Sequence, residues 1–307
     1  LLNALEQLGA RTESNNGRLP VTIYGGSLHG NSVTVSGEKS SQFLSSLLFL
    51  CPCLHEKVEI NVINGLKSKP VVRTTLEILK EAEIEVKSSP DLMRHVIPAG
   101  QSYRKKTWRV NGDWPGSAAI IAAAAVCPGS DVTIEELYED QQGERAVIDV
   151  LKEMGADIEY DGNCVRVRSG KPLKGVEFDG DQATDAVLAM TGAACYARGR
   201  TRFYDVGNLR LKECDRISEP LSELCRMGVE TEEKPDEIII YGNPDGYAGG
   251  YVADGRGDHR VIMMLTIVGL ASQKGIVIDG AEHIKKSYPH FFRHLKLLGA
   301  RIEEIEE

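Results

Sequence analysis

Five charges fall within the eight residues "LRLKECDR" at 209–216: Arg210, Lys212, Glu213, Asp215 and Arg216. Ordinary helix capping asks for one Ser, Thr, Asp or Asn with acids in the first turn, and cations there oppose the helix dipole. Mixed charge at such a place suits other work: cations to clamp an anion, with an acid among them to move a proton. Similar polar knots recur along the chain. They are Ser40, Ser41 and Gln42; Lys67, Ser68 and Lys69; Thr184 and Asp185; Asp258, His259 and Arg260; and Lys285 and Lys286. Each precedes an apolar or amphipathic helix pattern, and a helix N-terminus offers free N–H groups to phosphates and carboxylates. Convergence of these ends would make a strongly cationic pocket, with Asp185 and Glu213 placed to exchange protons. Taken singly, Ser40, Ser41, Thr184 and Asp185 also read as N-caps, His259 as a structural histidine, and Lys285–Lys286 as surface charge. Their shared register in a repeat argues for the site.

That repeat supplies the positioning elements. An amphipathic helix, a stop residue and a short alternating strand recur as "LLNALEQLGARTE", "LEILKEAEIEVK", "IDVLKEMGADIEY", "LSELCRMGVETEE" and "LKLLGARIEE". The stop falls at Gly9, Glu83, Gly155, Gly228 and Gly299, so the period is just over seventy residues. Glycine suits this place because the residue after a helix often takes positive φ, and Glu83 departs from the pattern. Between these phrases come "VTVSGEKSSQFLSSLLFL", "WRVNGDWPGSAAIIAAAA", "VEFDGDQATDAVLAMTGA" and "YVADGRGDHRVIMMLTIV": a short strand, a glycine (Gly37, Gly112, Gly180, Gly255), a polar knot, and a helix apolar nearly all round. Such helices are expected to be buried. Each unit therefore reads as βαβαββ, an α/β (α+β) chain. Asn, Gly and Pro punctuation in "NGDWPGS" divides it into 1–111, the remainder of a first domain, and 112–307, a second.

The bulk numbers bound the partners. Net charge is −9, with 42% apolar and 26% charged residues. This excludes a broad basic face for nucleic acid. Seven cysteines lie scattered without metal-ligand spacing and read as free thiols in a reducing cytoplasm. No apolar run reaches membrane-spanning length, and no signal peptide is expected. The chain opens without Met inside a helix pattern, so its natural start is expected upstream.

"SSQF", "LKSKP", "TDAVLAM", "NLRLKECDR", "GDHR" and "KKSYP", in this order, resemble the 5-enolpyruvylshikimate-3-phosphate synthase family over essentially the whole chain. The resemblance implies an enolpyruvyl-transferase fold, an inside-out α/β barrel of two domains with three βαβαββ units each and the substrates in the cleft. Six units of about seventy residues make a chain of about 430, which puts about 120 residues before Leu1. The implied activity, in the shikimate pathway of aromatic amino acid biosynthesis, moves the enolpyruvyl group of phosphoenolpyruvate to the 5-hydroxyl of shikimate 3-phosphate and releases phosphate. No metal or cofactor is implied. The enzyme is expected to be a cytoplasmic monomer without nucleic-acid or membrane partners.

By resemblance, Ser40, Ser41 and Ser68 bind the 3-phosphate, and Gln42 reaches both substrates. Asn208 and Lys212 bind the shikimate side. Asp185 holds ring hydroxyls and acts as base, and Glu213 exchanges the methylene proton. Arg216, Arg260 and Lys286 clamp phosphoenolpyruvate, with His259 behind them. Glu213 and Arg216 are expected one turn apart on the helix start. Three departures stand out. The family's early substrate-binding segment has no counterpart here, so the chain by itself is expected to be inactive or nearly so. Val71 replaces a common aromatic, and "GDWPGSAA" carries an extra residue at the inter-domain hinge. Two alternatives are UDP-N-acetylglucosamine enolpyruvyl transferase and a non-catalytic anion-binding remnant. The K-E-x-D-R and D-H-R motifs distinguish the shikimate enzyme from the first.

Overall fold

The computed structural model describes residues 1–26 and 28–305, and it separates into two compact units. The first comprises Leu1–Arg109 with Asp140–Gln142; the second comprises Val110–Glu139 and the chain from Gly143 onward.

In the first unit, helix α1 (Leu2–Gln7) leads into a hairpin, β1 (Arg11–Asn15) and β2 (Arg18–Tyr24). Next come β3 (Ser32–Gly37), α2 (Gln42–Leu50), β4 (Val58–Leu66), α3 (Lys69–Glu81), β5 (Lys87–Ser88) and β6 (Arg94–Ile97). Their sheet runs β3-β4-β6-β5, with β3 and β4 parallel and the other pairs antiparallel. The alternation in "SVTVSG" and "VEINVI" turns Val33, Val35, Val58, Ile60 and Val62 inward. They pack against Leu44, Leu47, Leu48, Val72 and Leu79 of α2 and α3. Burying such side chains contributes roughly 1.5–3 kcal/mol each before conformational entropy is charged.

The second unit repeats the motif. Helix α4 (Trp114–Val126), β7 (Asp131–Ile134), α5 (Ala146–Met154), β8 (Asp157–Tyr160) and β9 (Val165–Arg168) form one copy, with sheet order β7-β9-β8. The next copy has β10 (Glu177–Asp179), α6 (Val187–Ala194), β11 (Gly199–Tyr204), α7 (Ser218–Arg226), β12 (Glu230–Lys234) and β13 (Glu237–Gly242). Its order β10-β11-β13-β12, with only β10 and β11 parallel, matches the sheet of the first unit. The last has β14 (Tyr251–Asp254) parallel to β15 (Ile276–Asp279), with α8 (His259–Ala271) and α9 (Phe291–Leu297).

Of the four helices expected to be buried, three are; α2 is the exception, with Gln42, Ser46 and Phe49 exposed. All of α6 and residues 259–269 of α8 are buried, and α4 exposes little. These three pack on one another with the sheets outside, as an inside-out arrangement requires. No sheet closes into a barrel among the described residues. Gly192 permits the close approach of α6 to α8: a Cβ there would lie 3.1 Å from Ile267.

The repeat glycines have two separate reasons. The five stop residues all take positive φ: 84° at Gly9, 62° at Glu83, 104° at Gly155, 88° at Gly228 and 98° at Gly299. Glu83 thus holds a left-handed conformation that strains an L-residue. At Gly37 and Gly255, at the ends of β3 and β14, and at Gly112, a Cβ would fall 2.5–2.8 Å from the carbonyl oxygens of Gly65, Asp279 and Glu136 respectively.

Three expectations need correction. The "WRV" before Gly112 forms no strand, and neither does the final "ARIEE". Gly112 N–H donates to Glu136 O at 3.1 Å, but residues 101–113 form no strand. Third, the charge run 210–216 does not start a helix. Gly207–Leu211 is a 3-10 turn, residues 212–217 form an irregular connector, and α7 begins at Ser218. Asp215 supplies the start signal, accepting Ile217 N–H at 3.0 Å and Ser218 N–H at 3.1 Å.

Candidate active site

Two groups of candidate residues form, one in each unit. In the first unit, β3 and β4 run parallel and end together, Gly37 beside Leu66. The polar knots that follow therefore leave the same edge of the sheet, where open α/β sheets bind ligands. Ser41, 3% exposed, immediately precedes α2, and Ser40 Oγ accepts Gln42 N–H at 3.2 Å. Ser68 precedes α3 in the left-handed region, with φ 51°. The last strand residues tie the two knots together, Lys67 N–H donating to Gly37 O at 3.2 Å. Each knot thus opens a helix whose first N–H groups favour an anion. Val71 is 38% exposed in the first turn of α3.

In the second unit, Arg216 is the hub. It is 2% exposed and meets three carboxylates. Nε donates to Asp258 Oδ2 at 2.7 Å and Nη2 to Asp258 Oδ1 at 3.2 Å, a forked pair. Nη1 reaches Asp185 Oδ1 at 3.1 Å, and Nη2 reaches Glu213 Oε2 at 2.7 Å. The Glu213–Arg216 contact expected from helical spacing is present, but a connector makes it. Lys212 Nζ lies 3.9 Å from Asp185, and Lys286 pairs with Glu213 Oε1. Lys286 ends a 3-10 turn, Ala281–Lys286, well before α9, so it too corrects an expected helix start. Arg260 opens α8, donating from Nη1 to Pro115 O at 2.9 Å. Asn208, in the 207–211 turn, lies with its amide 3.5 Å from Asp181.

Two residues to which the sequence had assigned no role take part in the site: Asp258, present only as a member of a polar knot, and Glu144. Asp258 is fully buried, caps α8 through Arg260 N–H at 2.8 Å and anchors Arg216. Its place as the first letter of D-H-R was the available signal. Glu144, on the 3-10 turn Gly143–Arg145, accepts Asp185 N–H at 3.2 Å. Only its place in "QQGER", between strand and helix, could have marked it.

The second-unit cluster is balanced rather than strongly cationic, which corrects that expectation. Arg216, Arg260, Lys212 and Lys286 face Asp185, Glu213, Asp258 and Glu144. Burial acts to raise the Asp185 pKa, but Arg260, Lys212 and Arg216 together hold it below the usual carboxylate range. Burial likewise opposes ionisation of Glu213, yet Lys286 and Arg216 lower it to about 2. Glu144 is pushed up by burial and by the Asp185 charge. His259 is pulled down to about 4 by burial, then by Arg260 and Arg216, and stays neutral near pH 7. His259 Nδ1 and Arg260 Nε are buried without hydrogen-bond partners among the described residues. Orphaned polar atoms of this kind mark a place where a ligand or water completes the bonding.

Solved structures define the class first. EPSP synthase from Acinetobacter baumannii superposes with a TM-score of 0.80 at 26% identity, covering 98% of this chain and 70% of that one. The enolpyruvyl transferase NikO from Streptomyces tendae shares the fold at a TM-score of 0.77 and 18% identity, covering 98% of this chain and 71% of that one. The fold is thus that of the enolpyruvyl transferases. The family model for EPSP synthase (3-phosphoshikimate 1-carboxyvinyltransferase) matches residues 1–295, and the chain belongs to that family. The 3-phosphoshikimate 1-carboxyvinyltransferase of Deinococcus radiodurans is 48% identical over all of this chain and 69% of its own length. Its namesake from Methanosarcina mazei is 37% identical over all of this chain and 71% of its own length.

Proposed function

We propose that this protein transfers the enolpyruvyl group of phosphoenolpyruvate to the 5-hydroxyl of shikimate 3-phosphate, releasing inorganic phosphate. The observation that carries the reading is the Asp185–Arg216–Glu213–Lys286 cluster in a chain of this family. Asp185, held ionised, accepts the proton of the 5-hydroxyl as its oxygen bonds to C2 of phosphoenolpyruvate, while Glu213 delivers a proton to C3. The C2–O bond to phosphate then breaks, phosphate leaves with its electron pair, and Glu213 takes a proton back from C3 to restore the double bond. Arg216, Arg260 and Lys286 hold the carboxylate and phosphate of phosphoenolpyruvate and stabilise the charge on the departing group. Ser40, Ser41 and Ser68 hold the 3-phosphate, Gln42 serves both substrates, and Asn208 and Lys212 serve the shikimate ring.

With a pKa of about 2, Glu213 starts as an acceptor, not an acid. Substrate binding supplies the change. An anion that draws Lys286 and Arg216 away and adds negative charge beside Glu213 raises its pKa toward the range where it carries a transferable proton. Seven free thiols agree with a reducing cytoplasm, and no helix among the described residues is long and apolar enough to cross a membrane. The protein acts there as a monomer.

The test is phosphate release by the full gene product. Release that requires both substrates, with loss of about two orders of magnitude or more in Arg216→Ala, is the expected result. No turnover on this pair, but turnover with UDP-N-acetylglucosamine, would assign the other enolpyruvyl transferase activity.

A further inference from the structure

Of the five charges in 209–216, the proposed site uses Lys212, Glu213 and Arg216, which leaves Arg210 and Asp215. Arg210 spends all five of its N–H groups inside the protein. Nε donates to Pro235 O at 2.8 Å; Nη1 donates to Asp215 Oδ2 at 2.8 Å and Ser218 Oγ at 2.9 Å. Nη2 donates to Glu233 Oε1 and Lys234 O, both at 2.8 Å. No donor remains for a substrate. Ser218 Oγ closes the ring by donating to Glu233 Oε1 at 2.7 Å. The connector 212–217 has no ladder of its own, and a segment with so few backbone bonds does not hold three side chains in fixed geometry unaided. Its two ends are instead fastened to one rigid object, the turn joining β12 to β13.

We infer that Arg210 and Asp215 form a clamp that positions Lys212, Glu213 and Arg216 for the reaction, acting through the connector and touching no substrate. The word reaction rests on the transferase reading above. The clamp is read out at Glu213, whose charged neighbours are Arg216 on the connector and Lys286 on the 281–286 turn, with the titratable His259 at the start of α8. A looser connector lengthens the first two contacts, so Glu213 titrates higher.

The experiment follows the Glu213 carboxyl by NMR in 13C-glutamate-labelled protein, assigned with Glu213→Gln, together with steady-state kinetics. Arg210→Lys cuts the fork, while Asp215→Asn keeps an oxygen for the Ile217 and Ser218 amides and removes the Oδ2 acceptor that Arg210 and Ser218 Oγ share. Arg202→Lys is the control: Arg202 also pairs with two carboxylates, Glu237 and Glu177, but lies on β11 rather than beside the connector. Both clamp variants are expected to raise the Glu213 titration by about one pH unit and lower kcat by about tenfold or more, with KM for shikimate 3-phosphate little changed. Arg202→Lys should lower only the melting temperature. If the clamp variants behave like Arg202→Lys, with the Glu213 titration and kcat unmoved, the inference is overturned. A shifted titration in a protein whose wild type does not turn over would uphold the clamp and sink the transferase reading.

Discussion

Arg216 shows what a single residue decides. Its charge is buried with that of Asp258, and such a pair is costly to desolvate, so its retention is poor economy for stability alone. The forked geometry instead fixes a guanidinium between two carboxylates, Asp185 and Glu213, the proposed base and proton carrier. His259 beside it gives a pH signature. In the folded protein its pKa is about 4, against about 6.5 for an unfolded histidine. Between those values the unfolded chain takes up a proton that the folded one refuses, so stability falls as pH drops from about 6.5 to about 4. At 6% exposure the group should contribute up to about 3 kcal/mol over that window. Urea unfolding of His259→Gln against wild type, from pH 7 to pH 4, should show a shallower decline in the variant. Equal slopes would assign the whole decline to carboxylates.

At the scale of the element, the repeat imposes one backbone requirement after each amphipathic helix, a left-handed residue. Glycine meets it at four sites and Glu83 at the fifth. Position 83 was legible in the sequence as the odd member of a series, and its φ of 62° gives the physical reason. Glu83→Gly should therefore stabilise the protein by about 0.5–1 kcal/mol, the left-handed strain relieved outweighing the added freedom of the unfolded chain. A lowered denaturation midpoint would show that a contact of the Glu83 side chain matters more than its backbone. The buried helices α4, α6 and α8 were equally legible, because helices apolar on every side have no face to offer water. The charge run was misread as a helix start. Spacing alone cannot tell a helical i, i+3 pair from a pair brought together by a bent connector, and Asp215, a normal cap signal, was hidden among its charged neighbours.

At the scale of the molecule, each unit carries its own apolar core: one around Leu44, Ile60 and Leu79, the other around α4, α6 and α8. Between the last strand of the first unit and α4, residues 98–113 carry no helix or strand, and residues 102–110 are exposed. Arg104, Lys105, Lys106 and Arg109 all lie there. Brief trypsin treatment should cut first in this stretch and leave two fragments that resist further digestion, by mass spectrometry. First cuts within a packed helix of the second unit, after Lys152 of α5 or Arg260 of α8, would contradict independent cores.

The sequence by itself determined the period, the burial of the central helices, the βαβαββ order of the two complete units and the motifs that carry the family resemblance. These are local or periodic properties, set by polarity and φ preference within a few residues. It could not determine which charges meet. Asp258 and Arg216 are 42 positions apart, Glu144 and Asp185 are 41, and Glu213 and Lys286 are 73. Their pairing, and with it the low pKa of Glu213 and the neutrality of the cluster, follows from how three buried helices pack and where the connectors between them are pinned. Only tertiary structure sets those distances, because Coulomb and desolvation energies depend on separation in space and on burial, and neither is written in chain order.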